Sequence, residues 1–369
     1  MTKHAGWLGW LALMMLPMAA QAAPPVGSLP HPLQLPPGFH AEVYAQGVPG
    51  VRFMALSPHG DLTVSRPSRG QILVFPDRNH DGRADRMSVF ASDLDRPHGV
   101  AWRAGALYVA ETGAVKRLTD VNGDLVADRT ERVTGDLPEG GMHWTRTLGF
   151  GPDGGMYVSA GSDCNACVEQ DPRRATLMRF KPDGTGREIY ARGLRNAVGF
   201  AWHPATGELW ATDNGRDWMG NTQPPEELNR IRQGGDYGWP ACYGDRVPDP
   251  EHGSTARCAG TIPPAVSFPA HWAPLGITFY TGKQFPAEYR NDAFIAFHGS
   301  WNRFPPAGYR VVRVRFRNGQ PVGYEDFVTG FQRGLKAWGR PVDVLTAPDG
   351  ALFVTDDAGG RIYRITYQK

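Results

Sequence analysis

Beyond Ala22 the sequence has no run approaching the roughly 18 uninterrupted apolar residues of a membrane span, which excludes a helical span in the body of the chain. Neither charge sign is in excess. Lys and Arg number 39 against 37 Asp and Glu, a net +2, so no electrostatic footprint points to nucleic acid or an anionic membrane. Charged residues are only 21% of the chain, and no strongly amphipathic stretch of ordinary helix length occurs. Cysteine is scarce, at four. Cys164-Asn-Ala-Cys167 is followed by Val168 rather than His, which excludes a c-type haem attachment. No histidine has the H-x-x-x-H spacing that a local zinc site would show.

Turn chemistry is what the chain has in abundance, with 46 glycines and 32 prolines. A small turn containing Pro, Asp or Gly, followed by an apolar strand, recurs along it. The phrase reads Ser57-Pro-His-Gly-Asp-Leu-Thr-Val64, then Arg103-Ala-Gly-Ala-Leu-Tyr-Val-Ala110, then Gly151-Pro-Asp-Gly-Gly-Met-Tyr-Val158. It returns as His203-Pro-Ala-Thr-Gly-Glu-Leu-Trp210 and as Ala347-Pro-Asp-Gly-Ala-Leu-Phe-Val354. The first four copies are spaced by roughly 45 to 53 residues, the period of a four-stranded propeller blade. Between the fourth copy and the last there is room for one more blade, with Asn291-Asp-Ala-Phe-Ile-Ala-Phe297 as its core strand, and an insertion. The expected fold is all-β: a six-bladed β-propeller of four-stranded antiparallel blades. A β-sandwich is the competitor, but it does not explain the long period.

The N-terminus carries Lys3 and His4, an apolar core from Trp7 to Ala19, and the small-residue site Ala20-Gln21-Ala22. Residues 1–22 are therefore read as a signal peptide, with an uncleaved anchor as the alternative. Residues 23–369 are read as a single propeller domain with a loop-rich insertion at about 216–275. The mature protein is expected to be exported, with the bacterial periplasm as the destination. In that setting the cysteines are expected to pair as Cys164–Cys167 and Cys242–Cys258, each closing a short local loop. A four-thiolate zinc site is the alternative.

Two stretches carry calcium-type spacing. Asp77, Asn79, Asp81 and Asp85 alternate around Gly82, and Asp120, Asn122, Asp124 and Asp128 repeat the pattern. Such oxygens suit a hard cation, although neither loop has the Glu of a full EF-hand. Polar turns with Asx-type hydrogen bonds are the competing reading.

A propeller gathers loops from every blade at one end of its axis, so residues distant in sequence share a pocket. His143, after Gly140-Gly141-Met142, is a candidate proton acceptor at neutral pH. His98 and His298 occupy comparable places in other blades. Arg195, Arg303 and Arg340 each lie in a Gly- or Pro-bearing loop, and forked guanidinium groups suit a planar polycarboxylate. A surface salt bridge is the ordinary alternative for each.

Gly193-Leu-Arg-Asn196, Asn214-Gly215-Arg216, Glu226-Glu227 and Gly234-Gly-Asp-Tyr237-Gly-Trp-Pro240 resemble, in order and spacing, the glucose/sorbosone dehydrogenase family. Those are propeller enzymes that use pyrroloquinoline quinone (PQQ) and Ca²⁺. The resemblance spans about Leu35 to the C-terminus and implies roles residue by residue. Arg195, Asn196 and Asn214 would lie on the cofactor, with Arg303 and Arg340 from later blades. Carbonyls of Gly215 and Arg216 would bind its Ca²⁺, Glu226, Glu227 and Tyr237 would hold a second calcium, and His143 would be the base. The sequence departs from the glucose branch in four ways. Arg216 follows Gly215 where a proline is expected, although a carbonyl ligand requires no particular side chain. Val342 stands where a further arginine is expected. His298-Gly-Ser-Trp-Asn-Arg303, similar to the sorbosone branch, replaces a lysine. Gly161-Ser162-Asp163 places the carboxylate expected to support the histidine one residue late.

The resemblance implies hydride transfer from an aldose or an aldehyde hydrate to the quinone, with electrons passing to an external acceptor such as a quinone, cytochrome or dye. His143 would take the hydroxyl proton, and Arg340 or Arg195 would steady the oxyanion. Two other readings fit a propeller. One is a calcium lactonase built on Asp213, Asn214 and Asp163. The other is a module that binds a glycan or a protein.

Overall fold

The computed structural model describes residues 21–22, 29–79 and 81–368. The expected signal peptide lies outside them except for Gln21 and Ala22. Six sheets of four principal antiparallel strands follow one another along the chain and make the six-bladed propeller. The first holds Met54–Leu56, Leu62–Arg66, Gln71–Phe75 and Arg86–Ala91. The second holds Val100–Arg103, Ala106–Ala110, Val115–Thr119 and Arg129–Thr134. The third holds Leu148–Phe150, Met156–Ala160, Thr176–Phe180 and Glu188–Arg192.

The fourth blade is Phe200–Trp202, Leu209–Asp213, Glu226–Ile231 and Val266–Phe268. The fifth is Pro274–Phe279, Ala293–Phe297, Arg310–Arg317 and Gln320–Val328, so the expected core strand is in place. The sixth takes Pro341–Thr346, Leu352–Asp356 and Arg361–Tyr367 from the end of the chain, and its outer strand, Phe39–Gln46, from the beginning.

The recurrent phrase is the first hairpin of a blade. In the third blade Leu148 pairs with Val158 and Phe150 with Met156. Gly154 closes the turn with its N–H on the Gly151 carbonyl at 2.8 Å, at φ +78°, a conformation that glycine adopts without steric cost. Four of the six second strands are buried along their whole length, as in Met156–Ala160 and Leu352–Asp356, and the other two are buried but for Arg66 and Tyr108. Each is covered on both faces by the neighbouring blades, so apolar residues run on rather than alternate. The outer strand Arg129–Thr134 is mostly exposed and mostly polar.

The stretch at 216–275 is not loop throughout. It contains the third and fourth strands of the fourth blade. From this stretch Gly235–Asp236 also reaches back to pair in parallel with Glu188–Arg192 of the third blade. The loop portion is pinned by the Cys242–Cys258 disulfide, and Cys164–Cys167 forms the second one, as the spacing predicts.

Ring closure rests on Phe39–Gln46 lying antiparallel to Arg361–Tyr367, with Phe39 opposite Tyr367. Phe39 is buried against the rings of Phe285, Tyr289, Phe327 and Tyr367, with centroids at 4.8, 5.1, 5.0 and 5.0 Å. Phe39→Ala empties that cluster and is expected to cost about 3–5 kcal/mol. A fall in the urea midpoint of unfolding reads the loss, while an unchanged midpoint would show that closure does not depend on this ring.

Candidate active site

The first strands of successive blades touch one another in a ring around the axis. The residues just before these strands therefore converge at one mouth of the ring. Arg52, His143, Arg195, His271 and Arg340 all come from such segments, and all line one cavity of about 210 Å³. Asn196, Asn214, Gly215, Glu226 and His298 line it as well.

His143 is half-buried at the wall. Its Nδ1 lies 2.9 Å from the Ser162 carbonyl and 2.9 Å from Ser162 Oγ. A carbonyl only accepts, so Nδ1 carries the hydrogen and Nε2 keeps a free lone pair. The Ser162 hydroxyl in turn donates to the Cys164 carbonyl at 2.7 Å. Burial, and then the charge of Arg195, push the His143 pKa down to about 3. The imidazole is thus neutral at physiological pH and able to accept a proton. The support expected from the carboxylate of Asp163 comes instead from Ser162. The main-chain N–H of Asp163 is turned to Glu169 Oε1 at 2.7 Å.

Arg195 is buried and held on all sides. Its Nε donates to the Asn165 carbonyl at 2.9 Å, and its Nη2 to Asn165 Oδ1 at 2.9 Å and Asp217 Oδ2 at 3.0 Å. Its Nη1 donates to the Asn214 carbonyl at 3.2 Å. Asn165 also binds the main chain of Asp217 at both ends, accepting from its N–H at 2.7 Å and donating to its carbonyl at 3.1 Å. The Cys164–Cys167 loop, which encloses Asn165, thereby sets the arginine and the turn at 214–217 together.

On the far wall Arg340 donates from Nε to the His298 carbonyl at 3.0 Å and from Nη2 to the Gly299 carbonyl at 2.9 Å. His298 Nε2 bonds Asp357 Oδ1 at 2.9 Å, and Arg52 Nη1 bonds Asp357 Oδ2 at 2.8 Å. Burial would raise the Asp357 pKa, but the His298 hydrogen bond and the nearby cationic charges hold it at about 2. Arg303 does not line this cavity: its Nη1 donates to the Ala270 carbonyl at 3.0 Å. Arg52 stands as the third arginine instead. The signal that could have found it is positional, because Arg52, Arg195 and Arg340 all shortly precede a first strand. His98 is fully buried outside the cavity, against the Arg146 carbonyl and Thr147 Oγ1, and is structural.

The acidic residues sit behind the turn at 214–217. Glu226 accepts from the N–H of Gly215 at 2.8 Å and of Ala273 at 3.2 Å, and burial pushes its pKa up to about 7. Asp213 accepts from the N–H groups of Arg195 and Asn196 at 2.9 and 2.6 Å. Burial, with the nearby Glu227, raises its pKa well above the usual range. Asp213, Gly215, Arg216, Glu227 and Tyr237 border a second, small cavity of about 20 Å³. The Tyr237 hydroxyl is already used, donating to the Arg230 carbonyl at 2.6 Å and accepting from Arg232 N–H at 2.8 Å. The Arg216 side chain is drawn away to Asp249 and Glu251 at 2.7 and 2.9 Å, which leaves only its main chain for the site.

The two Asp/Asn loops lie at other turns and follow one pattern. Asp77 accepts from Asp81 N–H and Gly82 N–H, and Asn79 from Asp81 N–H. Asp81 accepts from Arg83 N–H, and Asp85 from Arg78 N–H. Asp120, Asn122, Asp124 and Asp128 accept in the same way from Gly123 and Leu125, Asp124, Val126, and Val121 N–H. The bonds made by Asn79, Asp81, Asn122 and Asp124 are Asx-turn bonds to the N–H two residues on, while Asp77, Asp85, Asp120 and Asp128 reach N–H groups three to seven residues away. Among the described His, Cys, Asp and Glu side chains only those of Cys164, Cys167 and Glu169 bring three ligand atoms within 4.8 Å of one another, and those cysteines are oxidised. His98, His143 and His298 thus form no zinc centre there.

The fold and the site define a closed six-bladed propeller whose axial cavity brings together His143 and the guanidinium groups of Arg52, Arg195 and Arg340. The chain belongs to the TrAA12-like family, whose match covers residues 33–368. It is 30% identical to an uncharacterised protein of Borreliella burgdorferi over 91% of this chain and 91% of that protein. It is 24% identical to a pyrroloquinoline quinone-dependent sugar dehydrogenase of Hypocrea jecorina over 85% of this chain and 80% of that one. Among solved structures, the holo PQQ domain of pyranose dehydrogenase from Coprinopsis cinerea superposes with TM-score 0.80 at 22% identity, covering 93% of this chain and 99% of that domain. The calcium structure of the Trichoderma reesei family AA12 enzyme does so at 0.80 and 23%, covering 94% and 98%.

In the ligand-free protein, histidine-selective NMR should find His143 neutral from pH 8 down to about pH 5, since its pKa lies below that range. Asn165→Ala frees Arg195, weakens its charge at the imidazole, and should raise the His143 pKa in the same titration. An unchanged pKa would mean that Asn165 does not hold the arginine.

Proposed function

We propose that the protein is an exported, PQQ- and calcium-dependent dehydrogenase that oxidises an aldose or a sorbosone-like aldehyde. The observation that carries this reading is a neutral imidazole facing three guanidinium groups, from separate blades, across one cavity. The donor set fits the cofactor. Arg195, Arg340 and Arg52, with Asn196 and Asn214, offer charge-assisted hydrogen bonds to a planar polycarboxylate. Main-chain oxygens at Gly215 and Arg216 are hard ligands suited to a Ca²⁺ beside it. Asp213 and Glu227, buried against each other's charge beside a cavity large enough for one ion or one water, favour a second cation there, with Glu226 and the Tyr237 main chain close by. Cations at the two Asp/Asn loops would act on local stability only.

When bound, the quinone supplies a two-electron acceptor for the hydride lost by the substrate carbon. The protein supplies position and charge. Nε2 of His143 takes the proton from the hydroxyl at the carbon being oxidised, with Nδ1 anchored on Ser162 throughout. Arg195 and Arg340 stabilise the negative charge that grows on that oxygen, and their tethers keep them from turning away. The product is a lactone or acid, and an external acceptor removes the electrons.

The calcium-lactonase reading needs Asp213, Asn214 and Asp163 to converge on the axial cavity; only Asn214 lines it, and its side-chain amide donates to the Pro274 carbonyl at 2.7 Å. The test is titration of the protein with PQQ, with and without Ca²⁺, followed by addition of aldoses and sorbosone. Calcium-dependent, saturable binding and bleaching of the quinone on adding sugar are expected. His143→Ala should bind PQQ like the parent and turn over about 10²–10⁴-fold more slowly. Turnover within a few-fold of the parent would refute the base assignment, and absence of PQQ binding would refute the function.

A further inference from the structure

Trp218 and Trp301 are 69% and 65% exposed, and no other described tryptophan is exposed. They meet edge to face, with centroids 5.0 Å apart at 87°, although they come from loops of different blades. Large apolar rings so open to water are uncommon on a protein surface and mark binding sites. These two are also held in place. Asn302 Nδ2 donates to Asp217 Oδ1 at 2.7 Å, Asn221 Nδ2 to the Phe304 carbonyl at 2.6 Å, and Phe304 N–H to Asn221 Oδ1 at 3.2 Å. Three hydrogen bonds therefore lace the loop at 217–221 to the loop at 301–304. Trp218 itself has φ +70°, a left-handed conformation costly for a bulky residue and retained where its surroundings impose it.

The pair is continuous with the axial cavity, because Trp301 and Asn302 also line that cavity with His143. Asn302 Oδ1 has no partner within the protein, an acceptor left for a donor brought from outside. We infer that Trp218 and Trp301 form a second sugar-ring subsite at the cavity mouth, and that the favoured substrate is a reducing oligosaccharide. The ring being oxidised occupies the cavity, and the next ring lies against the indoles. An indole offers a flat apolar face to the C–H side of a pyranose and an N–H to its hydroxyls. This inference rests on the dehydrogenase reading. A protein electron acceptor is the other occupant such a patch could take, but a patch that shares Trp301 with the cavity favours a ligand continuous with the one inside.

The experiment compares kcat/KM for glucose, maltose and cellobiose in the PQQ- and Ca²⁺-loaded protein and in its Trp218→Ala and Trp218→Phe variants. The parent should favour a disaccharide over glucose. Trp218→Ala should lower disaccharide kcat/KM about tenfold, mainly through KM, with a far smaller effect on glucose, and Trp218→Phe should recover most of the loss. Quenching of tryptophan fluorescence by the disaccharide in the unloaded protein, reduced in Trp218→Ala, reads the subsite without turnover. Equal losses for glucose and disaccharide overturn the inference. So does a Trp218→Ala variant that keeps dye-coupled turnover of every sugar but loses reduction of a protein acceptor. If no sugar is oxidised by the parent, the dehydrogenase reading fails, and the fluorescence titration alone decides whether the subsite exists.

Discussion

Everything at the axis depends on one strand pairing. The chain starts its propeller in the outer position of the last blade, where Phe39–Gln46 completes the sheet that Arg361–Tyr367 leaves open. Without that pairing the ring has two free edges and no fixed radius. The cavity is walled by the loops that precede the first strands and rests on the buried cluster of Val198 and Leu275, so the separation between His143 and Arg340 is a property of ring closure. Phe39 sits in the aromatic cluster of the fifth and sixth blades, which couples this pairing to the buried core.

Inside that frame, like charges are crowded together. Three guanidinium groups and a histidine share a small space, and burial lowers the pKa of Arg52 and Arg195. Such groups are tolerated because each is tied to fixed acceptors: Arg340 to two carbonyls, Arg195 to Asn165, Asn214 and Asp217, and Arg52 to Asp357. The tethers also orient the groups in advance, so a bound anion meets donors already aimed. The depressed pKa of His143 comes first from burial and then from Arg195 in this field. One arrangement therefore attracts an anion and keeps the base unprotonated.

The fold was legible because its signal is periodic. Turn phrases such as Gly151-Pro-Asp-Gly each require one tight hairpin, and their spacing marks blades. The fifth blade, which lacks the phrase, was found by its apolar strand at Ala293–Phe297. The stretch at 216–275 misled because Glu226–Ile231 hides two acidic residues in a buried strand, and local composition hides strands of that kind. At the site, Arg195, Asn196, Asn214, Gly215, His143 and Arg340 were legible from motif resemblance, and the structure places them around one cavity. Arg52 and Asn165 were not, since their roles come from ring geometry and from a loop that aims one amide side chain at both Arg195 and Asp217. Arg303 shares the chemistry of Arg195 but not its place before a first strand.

The loop between Cys164 and Cys167 holds the arginine and, through Ser162, touches the base. Two cysteines three residues apart add little to the rigidity of a propeller this size, so the bond between them matters for the pocket more than for the fold. Without that bond the loop would be freer to shift Asn165, and with it Arg195, while the Ser162 carbonyl would still hold the imidazole.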